Sequence, residues 1–300
     1  MLLLSRLVSL DVTPSPRRAC LALAAALVFL AACGTVETGT PTAVTKVQMS
    51  ASAGVPTVPN AAPVPTAPSS VSSTAPSSSA AVVPAAGKVV VLDPGHNGGN
   101  AANPAEINKK VPAGRGQTKA CNTTGTSTNA GYTEHEFTWD VSVRVRELLS
   151  AKGIKVVMTR DNDTGVGPCV DRRAAIGNQA NADAVVSIHA DGSNSPGAHG
   201  FHIAYSAPPL NAAQGEPAKR LATTLRDGLR SAGFATSTYI GSAGLSPRDD
   251  LGGMNLSERP AALVECGNMR NADEAAVLSS PSGRQRYADA IAAAILKYLT

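Results

Sequence analysis

Three short apolar runs in this chain each lead into a histidine or a glutamate, the residue types that bind metals and move protons. The side chains are His96 after residues 89–92, His189 after residues 184–188, and Glu265 after residues 261–264. Each run has the length of a buried strand. Because parallel strands bring their carboxyl ends to one edge of a sheet, where α/β proteins place ligands and chemistry, the three side chains are predicted to share one site.

The two histidines predict a catalytic zinc site, which needs three protein ligands and one open position for water. The third ligand is predicted in the sequence TEHE at the start of the next helix. With the threonine as N-cap, Glu136 completes a capping box, which leaves Glu134 free to join His96 and His189 as the third ligand. His135 points about 100° away from Glu134 around the helix, so it is expected to be solvated or to lie behind the ligands.

Glu265 has a different predicted role, because a buried carboxylate is costly unless it is paired, hydrated or used. It is expected to take a proton from the attacking water and pass it to the leaving amine. Asp93 is expected in a turn or behind a ligand histidine. His199 and His202 would lie on opposite faces of a strand, which excludes a shared metal but leaves either free to contact substrate.

The stretches around these residues alternate between strand-like and helix-like patterns from residue 88 onward, which is typical of an α/β domain. Helices are predicted from residue 133 and at 171–181, 211–232, 273–278 and 285–299, and further strands at 154–158 and 199–205. The polar stretch 97–131 is too long for a plain connection, so we expect a hairpin or a lid beside the site.

Residues 1–33 have the pattern of an export signal. Arg17 and Arg18 precede an apolar run that is short for a membrane span and ends in Leu-Ala-Ala-Cys33, which resembles the lipobox of bacterial lipoproteins. The resemblance implies lipid attachment to Cys33 at the outer face of the cytoplasmic membrane; the alternative is an ordinary secretory signal. Residues 34–87, rich in Ala, Pro, Ser and Thr, are predicted to be a disordered tether before one folded domain at 88–300.

The composition indicates which classes of partner to expect and whether the cysteines form a disulfide. The formal charge is only +4, aromatic residues make up 3%, and the basic residues form no dense cluster, so no nucleic-acid partner is expected. Export favours a disulfide, predicted between Cys121 and Cys169, with Cys266 buried; three free thiols are the alternative. A cysteine hydrolase built on Cys266 is disfavoured because no motif supplies its base.

Four motifs in order carry a family resemblance: DPGHNGG, the helix start at Glu134, SIHADG from Ser187 and ALVECGNMRN from Ala262. In order and spacing they resemble the zinc-dependent N-acetylmuramoyl-L-alanine amidases over residues 88–300. The chain departs from the family at Asp191, where an asparagine is common, and at Asn268, where an aromatic residue is common.

The resemblance implies an α/β domain with a mixed, mostly parallel sheet flanked by helices on both faces. It implies that Zn²⁺ is held by His96, Glu134 and His189, that Glu265 is the catalytic glutamate, and that the protein cleaves the amide between N-acetylmuramic acid and L-alanine in peptidoglycan. A monomer is expected. The alternatives are a zinc peptidase of peptidoglycan, which would use the same chemistry, and a catalytically silent wall-binding lipoprotein.

Overall fold

The computed structural model describes residues 87–300, so the predicted signal at 1–33 and the predicted tether up to residue 86 lie outside the described residues. The strands are β1 (Val89–Pro94), β2 (Lys110–Gly114), β3 (Gln117–Ala120), β4 (Lys155–Met158), β5 (Ala184–Asp191), β6 (His202–Ser206), β7 (Leu245–Arg248) and β8 (Ala261–Asn268). The helices are α1 (Pro104–Ile107), α2 (Glu134–Ser150), α3 (Val170–Gln179), α4 (Glu216–Ser231), α5 (Gly252–Asn255), α6 (Ala272–Ser279) and α7 (Pro281–Leu299), with a 3₁₀ turn at Ala212–Gln214. None of these helices is both long and apolar enough to span a membrane.

Strands β4, β1, β5, β8, β6 and β7 form one sheet in that order. All neighbouring pairs are parallel except β6 and β8, which run antiparallel. Strands β2 and β3 form a separate hairpin. The predicted mixed, mostly parallel sheet is therefore confirmed, with its one antiparallel seam beside the strand that carries Glu265.

Side chains alternate between the two faces of the sheet, because the side-chain period of a strand is two residues. One set, which includes Val90, Leu92 and Val264, packs in the large core against α2, α4 and α7. The other set, which includes Val91 and Val185, packs in a smaller core near α3 and α5. Helices therefore flank both faces, and the second face continues at its carboxyl edge into the candidate site.

The long polar stretch after β1 folds beside the site, as expected, into α1, the β2–β3 hairpin and an extended segment at residues 121–126. A disulfide joins Cys121 to Cys169 just before α3, which confirms the predicted pair, and Cys266 is free and buried. The hairpin is fixed to the sheet edge by Arg115, which donates hydrogen bonds to Ser206 Oγ at 3.1 Å and to the Pro208 carbonyl oxygen.

Several expected strand limits are wrong. Strands β5 and β8 continue past His189 and Glu265, so these residues lie inside their strands rather than at the ends. A shift in strand register just after this pair marks the irregular edge where the site opens. His199 precedes β6 instead of belonging to it, and the predicted helix at 211–232 is a 3₁₀ turn followed by α4.

Candidate metal centre and active site

His96, Glu134 and His189 come together at the carboxyl edge of the sheet, and their ligand atoms all lie within 4.8 Å of one another. Glu134 Oε1 is 3.1 Å from His96 Nε2 and 2.9 Å from His189 Nδ1. The rings of the two histidines are nearly perpendicular, with centroids 4.9 Å apart. The two nitrogens therefore converge on one carboxylate oxygen.

The orientation of the His96 ring is set by the segment that follows the disulfide. His96 Nδ1 lies 3.0 Å from the Thr123 carbonyl oxygen, which can only accept a hydrogen bond. Nδ1 therefore carries a hydrogen, and Nε2 is the ring nitrogen that faces Glu134 and is left to bind a metal. A backbone carbonyl that fixes the tautomer in this way is the usual support of a metal-bound histidine.

Glu134 is buried at the first turn of α2, where the helix dipole favours negative charge. Its Oε2 accepts a hydrogen bond from Thr126 N at 2.9 Å, and its Oε1 accepts one from Ala190 N at 3.2 Å. Glu136 instead accepts a hydrogen bond from Thr133 N at 3.1 Å, which completes the predicted capping box. The two glutamates at the start of α2 therefore differ as the sequence predicts: Glu136 caps the helix, and Glu134 lies with the two histidines.

This donor set fits zinc. Two imidazole nitrogens and one carboxylate oxygen are a common catalytic set, and zinc–ligand bonds of about 2.0–2.1 Å place tetrahedral ligand atoms about 3.3 Å apart. The distances from Glu134 Oε1 to His96 Nε2, 3.1 Å, and to His189 Nδ1, 2.9 Å, are close to that value. The carboxylate and the two nitrogens are therefore already arranged as a three-ligand group.

Glu265 is paired in register with His189 on β5, so both side chains lie on the same face of the sheet. Its Oε2 is buried and makes no hydrogen bond within residues 87–300. A cleft of about 430 Å³ contains all four predicted site residues, His96, Glu134, His189 and Glu265. The rest of its lining combines the polar segment at residues 122–126 with apolar side chains that include Val170, Leu251, Met254 and Leu263.

Electrostatic effects in the cleft shift the pKa values of Glu134 and Glu265 in opposite directions. Burial raises the pKa of Glu134, but the nearby histidines outweigh it and hold this pKa below the ordinary value. Burial, followed by the Glu134 and Asp191 carboxylates, raises the pKa of Glu265 well above its ordinary value. Glu134 is thus held as an anion, whereas Glu265 readily accepts a proton.

Other candidates from the sequence have different roles. Within residues 87–300, Asp93 makes no hydrogen bond to a ligand histidine; its Oδ1 pairs with Arg173 Nη1 at 2.6 Å, and it accepts hydrogen bonds from Thr159 and Ser187. His135 pairs with Asp163 at 2.7 Å, away from the ligand cluster. His202 is buried beside Glu265 in register, and burial lowers its pKa to about 4.

The family model of N-acetylmuramoyl-L-alanine amidase matches residues 90–297. The chain belongs to this amidase family.

Amidases of this family from mycobacteria are close relatives. N-acetylmuramoyl-L-alanine amidase Rv3717 of Mycobacterium tuberculosis is 49% identical over 214 residues, which cover 71% of this chain and 87% of the relative. The crystal structure of the apo amidase Ami1 from Mycobacterium abscessus is 53% identical, with a TM-score of 0.69, and the match covers 72% of this chain and all of that chain. Ami1 from Mycobacterium smegmatis is 52% identical at a TM-score of 0.69, covering 71% of this chain and 97% of that one.

Asp191 and Asn268, the two departures from the amidase family motifs, both form hydrogen bonds with nearby loops. Asp191 Oδ2 accepts a hydrogen bond from the Tyr239 hydroxyl at 2.9 Å. Asn268 is buried, and its amide donates to the carbonyl oxygens of Ser193 and Ala198, each at 2.9 Å. Neither departure changes the ligand cluster, and Asn268 serves to fold the loop after β5.

Sequence reasoning missed the groups that hold these amidase site residues in place. Thr123 and Thr126 act through main-chain atoms, which no residue pattern reveals. Gly125 must lack a side chain, because a Cβ there would lie 2.9 Å from both Glu134 Oε2 and the His96 ring. Arg173 is buried under the His96 turn, and the one available signal was an arginine within the helix that follows Cys169.

Proposed function

We propose that this chain is a zinc-dependent enzyme that hydrolyses the amide between N-acetylmuramic acid and L-alanine in peptidoglycan or its fragments. The observation that carries this proposal is one cleft that holds the His96, Glu134 and His189 ligand atoms together with Glu265, whose buried Oε2 makes no hydrogen bond within residues 87–300. The names of the mycobacterial relatives support the choice of bond.

His96, Glu134 and His189 would hold the zinc ion, which when bound supplies a Lewis acid for the amide carbonyl and a water made acidic enough to attack. Thr123 and Thr126 keep the first two ligands in place through their main-chain oxygen and nitrogen. The three side chains thus arrive with their ligand atoms already converged. Less reorganisation is then needed when the ion binds.

Glu265 performs the proton transfers. Its Oε2 takes a proton from the attacking water as the new C–O bond forms at the amide carbon. The same carboxylic acid then gives this proton to the L-alanine nitrogen as the C–N bond breaks. The products are the lactyl carboxylate of the sugar and a peptide with a free L-alanine amine, and the raised pKa of Glu265 strengthens it as the base of the first step.

Product analysis tests the bond specificity. Purified protein is incubated with defined muropeptides, with and without a chelator, and the products are identified by mass spectrometry. We expect free muramoyl sugar and intact stem peptides beginning with L-alanine, and no products after chelation. Shortened stem peptides would instead identify a zinc peptidase, and unchanged turnover without metal would refute the zinc mechanism.

The role of Glu265 is tested with Glu265→Gln, which keeps the side-chain shape and removes the base. The variant should bind one zinc ion per chain, measured by elemental analysis, and lose turnover by a factor of about 10²–10⁴. The matched control is Glu258→Gln, because Glu258 is exposed and lies outside the cleft. Full activity in Glu265→Gln would remove Glu265 from the mechanism.

We also propose that the protein is exported to the cell envelope, is anchored by a lipid on Cys33, and works as a monomer. The lipobox-like sequence supports the anchor. Labelling of the protein by a fatty-acid analogue should disappear in Cys33→Ser, and sedimentation should give a monomer mass. Unchanged labelling in Cys33→Ser would rule out this site of attachment.

A further inference from the structure

The backbone of the ligand His96 has an unusual conformation. Its φ is +58°, in the left-handed region that favours glycine because a Cβ crowds the following carbonyl oxygen. Unfavourable conformations of this kind persist at functional sites when the surrounding structure holds them in place. The turn from Pro94 to His96 therefore needs an external support, and the structure contains one.

Arg173, which is buried in α3, provides this support, and all five of its N–H groups donate hydrogen bonds. A guanidinium has five N–H donors. Nη1 donates to Asp93 Oδ1 and to the Pro94 carbonyl oxygen, each at 2.6 Å, and Nη2 donates to the His96 carbonyl oxygen at 2.7 Å. The remaining donors reach the carbonyl oxygens of Gly167 at 3.0 Å and Pro168 at 2.9 Å.

These contacts join the His96 turn to the segment that carries the disulfide. The guanidinium binds Pro94 and His96 in the turn and also binds Gly167 and Pro168, which precede Cys169. A second buried arginine, Arg160, strengthens the same turn, since its Nε donates to the Pro94 carbonyl oxygen at 3.1 Å.

We propose that Arg173 is a positioning residue for the metal ligand His96. It acts through the His96 main chain, which it fixes in the left-handed conformation that aims the ring at Glu134. Lysine cannot take over this role, because its three donors radiate from one nitrogen, whereas these acceptors are spread along the edge of a planar fork. The inference rests on the proposed zinc site.

The test measures zinc affinity rather than turnover. Metal-free protein is titrated with zinc in competition with a chromophoric chelator, for the wild type and for Arg173→Lys. We expect the variant to bind zinc about 10- to 100-fold more weakly, the usual effect of losing a support of a metal ligand. A second measurement, the thermal unfolding of each metal-free protein, reports how far the fold itself is weakened.

Two controls separate positioning from general loss of stability. Arg172→Lys changes the exposed neighbour in α3 and should leave zinc affinity unchanged. Leu229→Ala removes a buried side chain in α4, so it should lower the melting temperature without changing zinc affinity. Equal zinc affinities in Arg173→Lys and the wild type would overturn the inference. So would an equal loss of affinity in Leu229→Ala, since that would make the effect one of stability.

The outcomes also separate this inference from the proposed function. If the wild-type protein binds no zinc, the proposed function is refuted. If the wild type and Arg173→Lys bind zinc equally well, only the positioning role is refuted. If Arg173→Lys is not recovered folded, Asp93→Asn carries the test. That variant removes the charge that Arg173 pairs with and should weaken zinc binding several-fold, and unchanged affinity would overturn the inference.

Discussion

Removal of the Cys121–Cys169 disulfide should lower the free energy of unfolding, mainly because the unfolded chain gains conformational entropy. The bridged residues are 48 positions apart, and a loop of that size gives a chain-entropy contribution of about 4 kcal/mol. Hydrogen bonds beside the bridge remain possible without it, from Val170 N to the Cys121 carbonyl oxygen and from Asn122 Nδ2 to the Pro168 carbonyl oxygen, each at 2.8 Å. We therefore expect the native fold to form in the double serine variant, at lower stability.

The assay is thermal unfolding of metal-free Cys121→Ser/Cys169→Ser and of the wild type, followed by circular dichroism. A loss of about 4 kcal/mol in a domain of this size corresponds to a fall in melting temperature of roughly 8–16 °C. Reductant serves as the control, because it should lower the melting temperature of the wild type and leave the double variant unchanged. A loss below about 1 kcal/mol would refute the entropic reasoning.

Three further predictions concern single residues. Burial raises the pKa of Asp93, but Arg173, Ser187 and Thr159 together outweigh it and lower this pKa to about 2. The ionised Asp93 therefore contributes its full stabilisation of the fold above about pH 4, and this stabilisation is lost as the pH falls from 4 to 2. Asp93→Asn should therefore be about 2 kcal/mol less stable than the wild type at pH 7, and urea unfolding should show this difference vanish toward pH 2. A Cβ on Gly95 would overlap the His189 ring, so Gly95→Ala should lose zinc binding in a chelator competition, while Gly253→Ala, where a Cβ has room, should keep it; equal binding in both would contradict the packing. Tyr239→Phe removes the hydrogen bond to Asp191 and should cost about 1 kcal/mol in urea unfolding, and an unchanged midpoint would show that this bond is not formed in solution.

The grouping of His96, Glu134 and His189 at one edge of the sheet was predictable because its signals are local. A histidine just after an apolar strand indicates the sheet edge, and the capping preference of Glu136 identified Glu134 as the free carboxylate. The fold class followed from the alternation of strand and helix patterns. Each of these inferences needs only neighbouring residues in the sequence.

The supports of the site were not predictable, because they depend on contacts between distant residues and on main-chain atoms. Arg173 meets the His96 turn only after α3 has packed beside β1, and a carbonyl acceptor leaves no residue signature. Strand β7 and helix α5 were missed for a related reason. They are four residues long and contain proline or glycine, which local patterns assign to loops.

Along the chain, the proposed metal ligands come before an exposed loop, and the proposed proton-transfer residue comes after it. The three proposed ligands, the disulfide and Arg173 all precede the exposed loop at residues 194–197, whereas Glu265 and the antiparallel seam follow it. A chain cut in this loop would place the three proposed ligands and Arg173 on one fragment and Glu265, the proposed proton-transfer residue, on the other. Under the proposed mechanism, substitutions after this loop can alter proton transfer while the sequence of the three proposed ligands stays the same.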